Sequence, residues 1–199
     1  MLVYNSRLIG TPVLSVQAGA PIGYVVGTVI DPSGLKTLAF HLDGPLIHKT
    51  PAHFLDVSSI REYSEHGFVI DDVEELVTPD EVIHLSEVLK LNFDLLTLKV
   101  ETKKHTKLGK IIDFTLTSED FLVQQLVVKR PLVKSFVDPE LIIPRNEIIE
   151  VTDYKIIVRD EEKTIKEKSR NAEFIPNFVN PFRKTEPGFA SADTDKPKS

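Results

Sequence analysis

The sequence predicts a mainly β chain: two small β barrels in tandem, joined by a short helix and followed by a disordered C-terminal tail. Three observations carry this expectation. A strand–turn–strand pattern occurs twice, 86 residues apart. Each copy opens on an apolar residue followed by glycine. One capped, amphipathic stretch separates the copies.

The first copy begins at Ile22-Gly23 and continues through Tyr24, Val25, Val26, Gly27, Thr28, Val29 and Ile30. The second begins at Leu108-Gly109 and continues through Lys110, Ile111, Ile112, Asp113, Phe114, Thr115 and Leu116. Each runs into a turn, Asp31-Pro32-Ser33-Gly34 in one and Thr117-Ser118-Glu119-Asp120 in the other. Each turn leads to a second β-rich run, Leu38-Ala39-Phe40-His41-Leu42 and Gln124-Gln125-Leu126-Val127-Val128. Two β-rich runs around a polar turn read as a hairpin. A glycine ahead of a strand marks a bend or bulge where a Cβ would obstruct the chain. Self-similarity at a fixed spacing reads as a duplicated unit.

The copies match further along. Residues 59–63 fall opposite 147–151, and 67–71 opposite 155–159, now at an offset of 88, so the intervening loops differ in length. The ordered set of an apolar-Gly start, a hairpin, a short strand and a closing strand such as Phe68-Val69-Ile70-Asp71 resembles the PRC-barrel family. That family includes the cytoplasmic domain of the photosynthetic reaction-centre H subunit and a domain of a bacterial ribosome-maturation factor. The resemblance covers roughly residues 3–75 and 92–160. It implies a non-enzymatic chain without a cofactor, one that binds proteins or sits on a larger assembly, and it carries over no catalytic residue.

Taken in order, residues 1–77 form the first repeat. Residues 3–9 and 12–16 read as one strand broken at Gly10-Thr11-Pro12, since proline in a β run belongs at an edge or a bend. Residues 78–91 form the linker helix, with Thr78 as N-cap, Pro79 at N1 and Glu81 completing a capping box. Val82, Ile83, Leu85, Val88 and Leu89 supply its apolar face, and Lys90 suits its C-terminus. Residues 92–160 form the second repeat. The rest, 161–199, reads as a charged linker and a partly disordered tail with an aromatic segment at 174–189. Phe174, Ile175, Phe178 and Phe182 in that segment are candidate partner-binding residues, docking either on the chain's own barrel or on a partner.

Charge is unevenly spread. Residues 1–89 hold 4 Lys/Arg against 12 Asp/Glu, net −8, and residues 90–159 hold 12 against 10, net +2. An acidic first half repels a phosphate backbone. Lys103, Lys104 and Lys107 at one turn, with Lys129 and Arg130 at another, form a candidate basic surface. They serve either as solvated edge guards or as contacts to rRNA, an acidic protein or anionic headgroups. The opposed fields are expected to bias how the barrels pack, with the apolar face of Val82, Leu85 and Leu89 dominating.

The catalytic motifs are missing: no nucleophile elbow, phosphate-binding glycine loop, dinucleotide fingerprint or zincin pattern is present. With no cysteine, thiolate chemistry and disulfides are excluded. His48 and His53 sit in or beside a two-proline loop and lack the partners of a metal site. Asp31, Asp71, Asp72 and Asp113 lie at strand ends or turns, Asp113 being the one inside a strand. The N-terminus lacks a basic stretch followed by an apolar core, and no apolar run approaches the roughly 20 residues of a membrane helix. The expected function is that of a cytoplasmic, non-catalytic adaptor for a protein partner. The alternatives are a ribosome- or rRNA-associated factor and a peripheral component of a membrane-surface complex without direct insertion.

Overall fold

The computed structural model describes residues 1–131 and 139–160. The chain runs β1 (Leu2–Tyr4), α1 (Asn5–Leu8), β2 (Pro12–Ser15), β3 (Ala20–Asp31), β4 (Lys36–Asp43), β5 (Phe54–Asp56), β6 (Glu62–Ser64), β7 (Gly67–Ile70), β8 (Leu76–Val77) and α2 (Ile83–Lys90). It continues through β9 (Lys99–Thr102), β10 (Lys107–Thr117), β11 (Val123–Lys129), β12 (Glu140–Pro144), β13 (Ile148–Val151) and β14 (Lys155–Val158). The chain is mainly β, as the alternating apolar runs predict. The expectations for 161–199, with Phe174, Ile175, Phe178 and Phe182, lie outside the described residues.

The strands form two sheets of one design. The first has the order β6-β7-β2-β3-β4-β5-β8, and the second, read in the same sense, is β13-β14-β9-β10-β11-β12. β2–β7 and β9–β14 are parallel; the other neighbouring pairs are antiparallel. No closed barrel is found among the described residues: β6 and β8 end one sheet, β12 and β13 the other.

The duplication extends to irregularities. β3 shifts register against β4 between Val25 and Gly27 and between Val29 and Ile30. β10 shifts against β11 between Ile111 and Asp113 and between Thr115 and Leu116, the same positions 86 residues on. Bulges sharpen local bend and twist. The repeated glycines have the predicted steric reason. A Cβ on Gly23 would lie 2.8 Å from the Asp43 carbonyl oxygen, and one on Gly109 would strike the corresponding carbonyl of Lys129. Gly109 also holds φ +153°, which L side chains rarely adopt.

Three expectations about the connections need correcting. The N-terminal segments are not one broken strand: β1, α1 and β2 are separate elements. Nor does β1 stay with its own repeat. It pairs with β10, Leu2 opposite Thr117 and Tyr4 opposite Thr115, so the first residues belong to the second sheet. The linker helix starts at Ile83, not Pro79, because Val82 is extended (φ −120°, ψ 102°) and interrupts the helical path. The Thr78–Glu81 pair closes a turn instead: the Thr78 N–H donates to Glu81 Oε2 at 2.6 Å, and the Glu81 N–H donates to the Thr78 carbonyl at 3.2 Å. The apolar stripe is narrower than expected, with Leu85 and Val88 buried but Ile83 exposed. The helix lies against β3, where His84 Nε2 is 3.2 Å from Asp31 Oδ2.

What joins the sheets is an exchange between hairpin tips. Lys36 bridges to Leu122, the Thr37 N–H donates to the Phe121 carbonyl at 3.1 Å, and the Val123 N–H donates to the Leu35 carbonyl at 3.0 Å. Each of these partners is 86 residues from its counterpart, so the two tips meet about a local two-fold axis. At the axis Leu35 (φ 46°) and Phe121 (φ 50°) both take a left-handed conformation that drives a buried side chain inward. The Phe121 ring packs edge-on against Phe40 at 5.2 Å and lies 5.8 Å from Tyr63 and 5.7 Å from Phe68, inside the first sheet's core. Aromatic pairs of this kind add about 0.5–1.5 kcal/mol each beyond the area they bury. Residues of both sheets form one continuous core, and Met1–Asp160 is a single compact unit. The packing between the repeats, expected through strand faces and the helix face of Val82, Leu85 and Leu89, is built by strands and hairpin tips, with α2 resting on the first sheet.

Candidate interaction surface

The register of the second sheet sets lysines side by side. Lys99 on β9 pairs with Lys110 on β10, and Lys110 pairs in turn with Lys129 on β11. Residues directly opposite in neighbouring strands share a face, with Cβ atoms about 4.5–5.5 Å apart. All three are exposed, and none makes an ion pair among the described residues. Lys155, opposite Lys99 on β14, differs: its Nζ lies 3.2 Å from Glu101 Oε2 and 5.7 Å from the centre of the exposed Tyr154 ring. The row ends at Glu140, opposite Lys129 on β12.

More cations lie on the β9–β10 turn. The Thr102 N–H donates to the Thr106 carbonyl at 2.9 Å and His105 takes φ 62°, which lifts Lys103 and Lys104 into solvent. The Lys104 N–H donates to Asp160 Oδ1 at 3.3 Å. The Asp160 carboxyl is held below its usual range, first by a hydrogen bond from Thr102 and then by Lys104 and Lys103. The structure thus places Lys103, Lys104, Lys107 and Lys129 exposed on the second sheet and Arg130 half-buried at its edge. Sequence reading missed Lys99 and Lys110, the middle of the row. The signal that would have found them is the hairpin register about Gly109, which puts Lys110 opposite both neighbours.

The candidate carboxylates serve the fold. Asp31 accepts from the Ser33 N–H at 2.8 Å and the Ser33 hydroxyl at 2.7 Å. Burial alone would raise its pKa; the bonds from Ser33 and His84 more than offset this and hold it low. Asp71 accepts from Arg61 at 2.5 Å. Asp113 accepts from the Ser6 hydroxyl at 2.6 Å and the Ser6 N–H at 3.2 Å, fastening α1 to β10. His48 Nε2 lies 2.5 Å from Asp43 Oδ1, and this bond keeps the Asp43 carboxyl below its usual range. The His53 ring stands 6.4 Å from that of His41. Among the described residues no group of three or more His, Asp or Glu could hold a metal ion, and no helix is long and apolar enough to cross a membrane.

The equivalent row of the first sheet is Pro12, Tyr24 and Asp43, paired in the same way. The architecture therefore does not require lysine at these positions. Like charges directly opposite are destabilising. Three exposed lysines in register form a surface prepared for negative charge. No family model matches this chain, and no curated protein matches it.

Proposed function

We propose that this chain is a non-catalytic scaffold, built from two PRC-type β-barrel units, that holds a protein partner on the face of its second sheet. The observation that carries the reading is the contrast between equivalent rows, Lys99–Lys110–Lys129 in one sheet and Pro12–Tyr24–Asp43 in the other. The repeated strand order, repeated bulges and paired glycines support the PRC-type assignment. The non-catalytic part is supported by the use of Asp31, Asp71 and Asp113 in a turn, an ion pair and a helix attachment. Cross-linking of the intact chain in cell extract tests the reading. The expected result is a near-stoichiometric protein partner attached through lysines of the second sheet; attachment spread over many proteins without preference would overturn it.

A second reading, an RNA- or ribosome-associated factor, draws on Tyr154. This aromatic is 68% exposed beside Lys155 and one strand from Lys99. Single-stranded nucleic acid binds to stacking aromatics set among cations. Ribonuclease treatment that abolishes the cross-links would favour this reading over the first.

A further inference from the structure

We infer that the Lys99–Lys110–Lys129 row is the docking site for a short acidic polypeptide segment that ends in a bulky apolar side chain. This deepens the scaffold reading and rests on it. Adjacent strands lie about 4.8 Å apart, so the three lysine stems span about 10 Å, the length of roughly three extended residues. The acidic part of the ligand is therefore a run of about three to five Asp or Glu side chains.

The surroundings of the row limit its occupant. Glu140 closes one end and the Lys155–Glu101 pair closes the other. A long polyphosphate would extend past these ends over a chain whose residues 1–89 carry net −8. Screening over roughly 8–10 Å leaves a short segment under the lysines and the two flanking carboxylates, whereas a long polyanion meets the acidic remainder too. An apolar anchor lies on the same face. Ile142 on β12 is opposite Val127, two residues along β11 from Lys129, and is 54% exposed. Two-residue steps along a regular strand return to the same face, which puts Ile142 beside the cations. Ile112, exposed at the β10 bulge two residues after Lys110, adds to this apolar border. A charged run with an adjacent apolar contact matches the anatomy of a protein interface, a polar rim about a desolvated centre. A sugar–phosphate backbone would leave the isoleucines unused.

The test uses the full chain and a fluorescein-labelled peptide of four glutamates followed by leucine. Binding is followed by anisotropy at about 50 and 150 mM salt. Comparison probes are the same peptide with glutamines, a labelled single-stranded RNA 12-mer, and vesicles containing anionic phospholipid. The glutamate peptide should bind saturably and the glutamine peptide should not. Combined Lys99→Gln, Lys110→Gln and Lys129→Gln should weaken binding about tenfold, as expected from three exposed ion pairs. Lys36→Gln with Lys49→Gln should leave it unchanged. Ile142→Ser should weaken binding by a factor that persists at higher salt, when the lysine contribution has fallen. The triple variant should melt no lower than wild type, because it removes like-charge repulsion.

Failure of the wild-type chain to bind the peptide overturns the proposal. So does equal binding by the triple variant, or tighter binding of the RNA or the vesicles than of the peptide. If the triple variant still cross-links a stoichiometric protein partner in extract, the lysine row fails and the scaffold reading survives. Loss of a specific partner for wild type as well defeats both.

Discussion

The two sheets share a framework and differ on their faces. Strand order, both bulges in the long hairpin and the glycine beneath the opposing carbonyl recur 86 residues apart. The side chains on the outer row do not: Pro12, Tyr24 and Asp43 in the first sheet become Lys99, Lys110 and Lys129 in the second. Backbone geometry admits few residue types at a bulge or a close approach, whereas an exposed row admits almost any. Divergence on such a row is therefore informative about binding in a way that identity at Gly23 and Gly109 is not.

The sharpest way to break the comparison is to separate the copies. Residues 1–91 and 92–160 expressed alone should each lack a cooperative unfolding transition by circular dichroism, because β1 and Phe121 both complete the other copy's structure. A fully folded half would show that the exchange is incidental. Phe121→Ala should cost about 3–5 kcal/mol in urea unfolding, since it empties the space among Phe40, Tyr63 and Phe68. Leu35→Ala at the equivalent position should cost less, near the lower end of about 2–5 kcal/mol. Equal losses would mean the tips contribute alike despite their different size.

Gly109→Ala should cost about 1–3 kcal/mol from its backbone conformation with a steric contribution in addition. Gly23→Ala should cost less, because its closest contacts, Ile47 Cγ1 at 2.6 Å and the Asp43 carbonyl oxygen at 2.8 Å, are longer than that of Gly109 with the Lys129 carbonyl, and no positive φ is involved. The reverse ranking would refute the steric account.

A smaller effect concerns pH. His41 occupies the position that Val127 holds in the second sheet, stacked on Phe54 at 5.0 Å. His41 is exposed, yet partial desolvation first, and then the neighbouring His53, lower its pKa below 6.5, a shift that the nearby Asp43 partly opposes. The folded state therefore binds its proton less readily than the unfolded chain. This contribution to stability is fully present above pH 6.5 and is lost as pH falls toward the lowered folded value. Melting temperature should drop between pH 7.5 and 5.5, and His41→Val should reduce that drop. An unchanged slope would assign the effect to other groups.

How much of this could be read from the sequence depends on the range of each interaction. The hairpins, the glycines and the change of offset from 86 to 88 are local patterns, and they were legible. The helix start was misread because the Glu81 carboxylate accepts the Thr78 N–H in a turn as it would in a capping box, while the Glu81 N–H goes to the Thr78 carbonyl instead of its side chain. The destination of β1 was not legible: Leu2-Val3-Tyr4 suits any edge, and its partner lies more than a hundred residues away. Left-handed Phe121 was equally hidden, since a bulky residue is a poor candidate for positive φ until tertiary packing holds it there. Of the basic surface, Lys103, Lys104, Lys107, Lys129 and Arg130 were found as sequence clusters. Lys99 and Lys110 stand alone in the chain and become neighbours only through register.

The pairing of β1 with β10 also sets a timetable. Residues 2–4 leave the ribosome long before Thr115, Leu116 and Thr117 exist to receive them. At synthesis rates of ~5–20 residues per second, this wait is on the order of ten seconds. During that interval the first hairpin can form, but its core lacks Phe121, and the N-terminal strand has no bonding partner. Final assembly therefore follows the emergence of β10 and β11, and the large sequence separation of these contacts places the chain among slow folders.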